Sequence, residues 1–420
     1  RDRLAFAGAV LGAMVNWAIY DWTTFLARPI SPWMKPHPKE SPRRWSDRIP
    51  ILGWWGRKRD EMLYGRFFWL RPMLLEVTWT LFVPLFYFWL SHGGMTDFAP
   101  AALGALEVET WMILYTVLIA LMCVATFIDF DEKMIPDAIT VPGTLFALVV
   151  AAFAPWSRLP ELSPQGGWGT SAIDYLSPNL NDAPLAFGDS GSLTIALALF
   201  AFWVWALMPK LPVWYVGWGT SIRMMYAYAF RPKRKSKCDV RIQDRSTPTI
   251  TKTLCLILVM GLIGISLGWS LLSPAGWASL FGALLGLTFG AVLIWSIRII
   301  GTFAMGQEAM GFGDVTLMAM IGATFGWQAT LMAFAYAMIV VVVMLAFQIM
   351  LTGNQELAFG PYLCAGAVVL IFRWGTDWPV AREGIFALGP ILLYILLASM
   401  FLLGIMLLGL RWIKGATGAT

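Results

Sequence analysis

Two aspartates beside long apolar segments are the residues of this sequence best suited to chemistry. Asp129 directly follows an uncharged apolar run, residues 111–128, and Asp314 directly precedes the apolar segment that begins at Val315. Two carboxylates held close together cannot both ionise easily, so such a pair shares a proton. The ionised member can take a proton from water while the protonated member gives one to a carbonyl oxygen. If the fold brings them together, these aspartates could therefore hydrolyse an amide bond.

The residues around each aspartate are suited to shaping such a site. Pro136 ends a helix at or before residue 135, so we expect Asp129 in the last turn of its helix, with Asp137 as a nearby, secondary acid. A lone acid here would more often be an ordinary hydrated helix end.

Gly311 and Gly313 lie on either side of Phe312, just before Asp314. Glycine permits positive φ and close approach of another chain, so we expect room for a peptide beside the acid.

Other catalytic chemistry has little support in the sequence. The four cysteines are scattered without a CxxC pair, and the two histidines fall in different loops. A metal site needs clustered ligands, so we expect no metal. The sequence also lacks an evident nucleophile-elbow motif around a serine, so serine-based catalysis has little support.

The composition indicates a membrane protein. Hydrophobic residues make up 58% of the 420 residues and charged residues only 13%, whereas soluble domains average roughly 25% charged. A soluble protein is excluded, and we expect a lipid bilayer and no nucleic acid as partner. The sequence predicts an all-α, polytopic integral membrane helix bundle of about 9–11 transmembrane helices, counting ~20 residues per crossing. The apolar runs fall at 4–26, 72–90, 110–128, 138–156, 191–209, 251–272, 276–300, 315–327, 329–349, 361–372 and 386–410.

Basic residues in the loops predict the orientation of these helices. Residues 27–71 hold eleven Lys or Arg against four acids, and 231–252 hold eight against two, so both loops are expected in the cytoplasm. Alternation from these loops puts the N-terminus outside and the C-terminus in the cytoplasm. It also brings Asp129 and Asp314 to one membrane face.

Three stretches are expected to lie outside the bilayer core. Residues 157–190, rich in Pro, Gly and Asp, are predicted to be an external loop. Residues 211–230 are predicted to lie along the interface as an amphipathic segment. Residues 373–385 are expected to be a second external loop.

Several segments, taken in order, resemble the type IV prepilin leader peptidases, membrane aspartic peptidases of the GxGD type. Near the start, Gly12 to Tyr20, Arg48 to Trp54 and Arg71 to Glu76 are similar to the family's first helix and first cytoplasmic loop. Ile128 to Asp137 with Thr140 to Pro142, Glu308 to Val315, and Phe359 to Tyr362 are similar to its Ile-Asp, GxGD and Phe-Gly-Pro blocks.

The resemblance implies a function and a location. It makes Asp129 and Asp314 the catalytic pair and Gly311, Gly313, Pro136 and Asp137 the residues that shape the site. It implies prepilin-like or pseudopilin precursors of type IV pili or type II secretion as substrates, cleaved after short basic leaders at the cytoplasmic face of the inner membrane by a multi-pass protein. Proteolysis would need no cofactor. Acids near the pair could meet the leaders, by charge alone; these are Asp131, Glu132 and Glu308.

Many family members also methylate the new amino terminus with S-adenosylmethionine, and their first loop carries two cysteine pairs. Here that loop has no cysteine, although Gly56, Arg57 and Glu76 occupy the corresponding region. S-adenosylmethionine is therefore expected only if the methyltransferase activity is retained. A second departure is Thr316, where the family commonly has Lys.

The two aspartates are unusually far apart in the chain, which suggests an insertion. We expect an N-terminal region with the first helix and basic loop at 1–90, the two halves of the peptidase core at 91–156 and 251–420, and an atypical insertion at 157–250. The oligomeric state stays open.

Two other functions remain alternatives. A presenilin-like intramembrane protease would also use a GxGD aspartate, but its Tyr-Asp and Pro-Ala-Leu motifs are not in the expected places. A proton-coupled transporter would use buried acids as a relay, but would place them near the middle of long helices.

Overall fold

Each predicted apolar run overlaps a helix over most of its described length. A computed structural model describes residues 2–23, 30–96, 104–162, 168–169, 190–208, 247–306, 310–352 and 358–417. Eight of its helices are long and apolar enough to cross a membrane, and two apolar helices are shorter. The protein is a polytopic membrane helix bundle, as predicted. The helices are α1 (Asp2–Asp21), α2 (Leu52–Gly56), α3 (Glu61–Tyr64), α4 (Leu70–Ser91), α5 (Ala105–Glu132), α6 (Asp137–Phe153), α7 (Ser190–Leu207), α8 (Thr247–Leu271), α9 (Pro274–Met305), α10 (Phe312–Phe325), α11 (Trp327–Thr352), α12 (Gly360–Gly384) and α13 (Pro390–Thr417).

The short helix α10 lies at the centre of the bundle. Every residue from Asp314 to Phe325 is buried, as expected of a helix that is apolar on all sides. It joins two cores, one built on α1, α4, α5, α11 and α12 and the other on α6 to α9. It packs closely on α9, where a methyl group added to Gly322 would lie 2.1 Å from the Gly286 carbonyl oxygen. The two backbones thus touch without side chains between them, a usual mode of helix association in membranes.

The first loop, residues 30–69, is folded against the ends of α1 and α4. It contains α2, α3 and 3₁₀ turns at Trp45–Arg48 and Arg57–Asp60. The buried Glu76 carboxylate of α4 accepts hydrogen bonds from the Ile51 N–H (2.5 Å), the Trp54 indole (2.8 Å) and the Asn16 amide of α1 (2.9 Å). A buried acid needs such partners, and here they fix the loop to both helices.

The opposite end of the bundle differs from the prediction. Residues 373–385 were expected to be a loop, but α12 continues to Gly384. Arg373 and Asp377 are one helical turn apart and form an ion pair of 2.7 Å, an arrangement that supports a helix outside the apolar core.

The predicted external loop is only partly described. It contains one short antiparallel pair, β1 (Glu161–Leu162) with β2 (Trp168–Gly169). The predicted interfacial segment at 211–230 and most of the basic loop at 231–252 lie outside the described residues.

Candidate active site

The two aspartates lie at the ends of two different helices, and both are buried. Asp129 is in the last turn of α5 and 5% exposed; Asp314 is in the first turn of α10 and 7% exposed. Lys133 ends α5 in the left-handed conformation, with φ of 54°, and α6 begins at residue 137. The prediction that Pro136 ends the first helix is therefore confirmed.

Gly360, the first residue of α12, brings the two carboxylates together. A methyl group in place of its hydrogen would lie 2.7 Å from Oδ2 of Asp129 and 3.3 Å from Oδ1 of Asp314. The two oxygens are therefore no further apart than the sum of these distances. Only a residue without a side chain fits between them. The Gly360 backbone N–H also donates toward Asp129.

Ile135 fills the rest of the space between the three helices. A methyl group on Gly313 would lie 2.8 Å from the Ile135 Cβ, and one on Gly360 would lie 2.7 Å from its Cδ1. Gly313 and Gly360 thus both make room for this buried side chain. The close approach expected at Gly313 is made by Ile135 of the same chain, and the space beside Gly313 is not left open for a peptide.

One carboxylate oxygen of the pair has no hydrogen-bond partner. Within the described residues, Oδ2 of Asp129 is buried and unpaired, and it is the atom nearest to Gly360. A buried acceptor without a donor is costly. A proton shared with Asp314, or a water molecule, would satisfy it.

The start of α10 is held from α9. Arg298 donates from Nε to the Met310 carbonyl oxygen (2.8 Å), and its guanidinium lies 5.8 Å from the centre of the Phe312 ring. Gly311 caps the helix with φ of −66°, and Gly313 also lacks positive φ. Neither glycine uses the positive φ that its missing side chain permits, because an ordinary extended cap suffices to begin this helix.

Thr316 occupies the position of the family's lysine. Its hydroxyl donates to the Gly313 carbonyl oxygen at 3.0 Å. The side chain is therefore engaged within the first turn of α10.

Two of the other predicted acids, Asp131 and Asp137, are exposed. Asp131 accepts two hydrogen bonds from Arg71 of α4, at 3.0 and 2.9 Å. Asp137 is exposed at the first residue of α6, after the capping Pro136. Glu308 lies outside the described residues.

Gly360 and Ile135 were not among the predicted site residues. Their signal was present in the Ile-Pro-Asp and Phe-Gly-Pro blocks, but no feature of spacing placed either one beside the aspartates.

Gly56, Arg57 and Glu76, the residues associated with methyl transfer, are used to fold the first loop. Arg57 is fully buried, pairs with Glu40 at 2.6 Å and faces the rings of Trp54, Tyr64 and Phe68. Burial and the nearby Glu40 raise the pKa of Tyr64 to about 12, so the phenol stays protonated. The Glu76 carboxylate already has its three donors. As arranged, these residues do not fit an S-adenosylmethionine site.

No metal centre accompanies the pair. Among the residues that the structure describes, no three His, Cys, Asp or Glu side chains are grouped so as to hold a metal ion.

A membrane helix bundle with two buried aspartates converging at one end is the class of protein that this fold defines. Residues 240–346 match the model of the type IV leader peptidase family. This segment contains Asp314 and its GxGD motif, whereas Asp129 and Gly360 lie outside it. The match confirms the resemblance to the type IV prepilin leader peptidases.

Similar proteins support the same family. Prepilin leader peptidase/N-methyltransferases are 38% identical over 105 residues in Pseudomonas aeruginosa and 34% identical over 110 residues in Aeromonas hydrophila. The matched part is 24% of this chain in both cases, and 35% and 37% of those relatives. The chain thus matches only about a third of the length of its relatives. No solved structure matches.

Proposed function

We propose that this protein is a membrane aspartic endopeptidase that removes short basic leaders from prepilin-like precursors. The observation that carries the proposal is the convergence of Asp129 and Asp314 on Gly360. Two acids from distant parts of the chain share one buried point, and among the described residues neither is paired with a basic side chain. Such an arrangement has a cost in stability, and a catalytic role explains it.

The proposed mechanism uses only the two carboxyl groups and water. One member of the pair is ionised and takes a proton from the attacking water as its oxygen bonds to the scissile carbonyl carbon. The protonated member gives its proton to the carbonyl oxygen. When the C–N bond breaks, the carboxyl proton passes to the leaving nitrogen while the other carboxylate takes a hydroxyl proton from the tetrahedral intermediate, so the pair again shares one proton. No cofactor is required.

The position of the pair suits a precursor cut beside its apolar stem. The Arg71–Asp131 ion pair puts the end of α5, which holds Asp129, beside the start of α4 that follows the basic first loop. This is the face expected in the cytoplasm of an inner-membrane protein. The basic leader would meet acidic groups at this face. The acids closest in sequence to the pair, Asp131, Glu132 and Glu308, are the proposed contacts for the leader.

The alternatives are less favoured by the geometry. A proton-relay transporter would need its acids within the span, whereas Asp129 and Asp314 lie in terminal turns. A presenilin-like protease remains chemically similar, and the family match of the GxGD segment favours the prepilin peptidases.

Methyl transfer appears in the names of the relatives, but the arrangement of this chain does not favour it. Arg57 and Glu76 are engaged inside the folded first loop by Glu40 and by three hydrogen-bond donors. A cleaved precursor incubated with S-adenosylmethionine should therefore keep an unmethylated amino terminus, as judged by mass spectrometry.

The test of the proposal is cleavage of a prepilin-like precursor by the purified protein, followed by mass spectrometry. Asp129→Asn and Asp314→Asn keep the size of the side chain but remove the acid-base cycle, so each should lower the rate by ~10²–10⁴-fold. Asp137→Asn, exposed at the start of α6, is the matched control and should retain most activity. Near wild-type cleavage by either dyad variant would refute the assignment.

A further inference from the structure

A groove between α4 and α5 lies on the other side of the bundle end from the aspartates. It has a volume of about 480 Å³ and is lined largely by apolar side chains. Leu70, Leu74 and Thr78 of α4 form one wall, and Cys123 and Phe127 of α5 form the other. Leu74 and Thr78 are exposed, so this surface would face the lipid.

The positively charged side chain of Arg71 lies at the end of the groove nearest the first loop. Arg71 lines it, with its guanidinium 4.6 Å from the centre of the Phe127 ring. Only Nη1 of Arg71 is used by Asp131. Within the described part of the chain, Nε and Nη2 are covered and have no acceptor. A small movement of the guanidinium toward a phosphate would satisfy both, because the guanidinium fork matches phosphate oxygens.

The surroundings of Arg71 are also basic. Residues 57–71 contain five Lys or Arg against two acids. Arg66, just before the groove residue Phe67, is exposed, as is Lys58. The charge at this end of the groove is therefore suited to an anionic headgroup, and the apolar walls are suited to an acyl chain.

The groove is separate from the peptidase site. Phe127 and Asp129 are two residues apart on α5, which places them about 160° apart around the helix, on nearly opposite faces. This separation favours a lipid over the substrate as the occupant.

We propose that the groove between α4 and α5 binds one anionic phospholipid, with an acyl chain against Leu74 and Phe127 and the phosphate at Arg71. Basic pockets between membrane helices at the cytoplasmic side are known to favour such lipids. Asp131 competes with the lipid phosphate for the Arg71 guanidinium, so the Arg71–Asp131 ion pair lowers the affinity for the lipid. The proposal does not depend on the peptidase function.

The test is native mass spectrometry of the purified full-length protein titrated with phosphatidylglycerol or with phosphatidylcholine of the same chains. The wild type should retain one phosphatidylglycerol in preference to phosphatidylcholine. Arg71→Gln should weaken this binding about 5-fold, the effect of one cation near the surface. Asp131→Asn should keep or strengthen it, because the guanidinium is released.

The opposite responses of these two variants separate a lipid site from a structural ion pair. If the pair were only structural, both variants would lose stability. Arg71→Gln would then not weaken phosphatidylglycerol binding selectively, and Asp131→Asn would not strengthen it. Leu74→Trp should fill the groove and displace the lipid, whereas Leu85→Trp, at an exposed position of the same helix outside the groove, should not. Soluble glycerol phosphate should not compete, because it lacks an acyl chain.

Several outcomes would overturn the proposal. These are equal retention of the two lipids by the wild type, the same change in Arg71→Gln and Asp131→Asn, or unchanged binding in Leu74→Trp. If Arg71→Gln does not fold, as judged by gel filtration, the other two variants still decide.

Discussion

At the scale of single residues, the site depends on the absence of a side chain at Gly360. Two carboxylate oxygens approach the space that a side chain would occupy there. Glycine is therefore required by the close approach of the two acids, and the N–H of the same residue reaches Asp129. The Phe-Gly-Pro block acquires a physical reason: it places a residue without a side chain between the acids.

Replacing Gly360 by Ala should separate the acids without removing either one. The added methyl group must push Asp129, Ile135 or Asp314 aside, and a misplacement of this size can cost ~10²-fold in rate. Precursor cleavage followed by mass spectrometry measures the loss. Gly384→Ala is the control, because it lies on the same helix and an added methyl group there meets nothing within 4 Å. Equal activity of the two variants would contradict this role.

At the scale of elements, the first loop is held by buried ion pairs in place of cysteines. Glu40 and Arg57 are both completely buried and lie 2.6 Å apart. Burial alone would raise the pKa of Glu40, but hydrogen bonds from Arg43 and the His37 N–H, with the charge of Arg57, hold it below its usual range. The loop is thus most stable when Glu40 is ionised.

The loop should therefore loosen in acid. A lowered pKa in the folded state gives stability that is present above the ordinary glutamate pKa and is lost as the pH falls through the folded value. Hydrogen exchange of residues 30–69 should show protection falling as the pH drops below about 4.

Glu40→Gln should lower the protection already at neutral pH, by on the order of 3 kcal/mol, because it leaves the buried Arg57 charge with only the more distant Asp60 carboxylate, at 3.9 Å. Glu109→Gln, an exposed acid near the opposite end of α5, is the control and should behave as the wild type. Unchanged protection in Glu40→Gln would show that the Glu40–Arg57 pair is not what holds the loop.

At the scale of the whole molecule, the central α10 unites two cores that come from distant parts of the chain. We propose that 157–250 is an insertion between the two halves of the peptidase core, 91–156 and 251–420, after the N-terminal region 1–90. Its helix α7 packs against α8 and α9 in the second core. The insertion therefore contributes to the bundle.

The orientation of the bundle can be tested by labelling single cysteines in a background without the natural four. Lys39→Cys, exposed in the first loop, should react with an impermeant thiol reagent only after the cells are permeabilised. Thr170→Cys should react in intact cells, because its loop is poor in basic residues. The reverse pattern would separate the aspartates from the cytoplasm and exclude cleavage there.

The sequence by itself determined the elements and the two acids. Long apolar runs must become helices in a membrane, because their backbone groups have no other partners there, and each run was found as a helix in the described residues. The prediction of a loop after Phe372 was wrong. The Arg373–Asp377 ion pair, which supports the helix there, forms only when the segment is helical.

Only the tertiary structure decided how the acids meet. Local sequence fixes where a helix ends, but the distance between two helix ends depends on packing across the bundle. That packing placed Gly360 between Asp129 and Asp314 and Gly313 against the Ile135 side chain. It placed Asp131 within hydrogen-bond distance of Arg71. It also engaged Arg57 and Glu76 inside the first loop, because a buried charge must find its partner wherever the fold provides one.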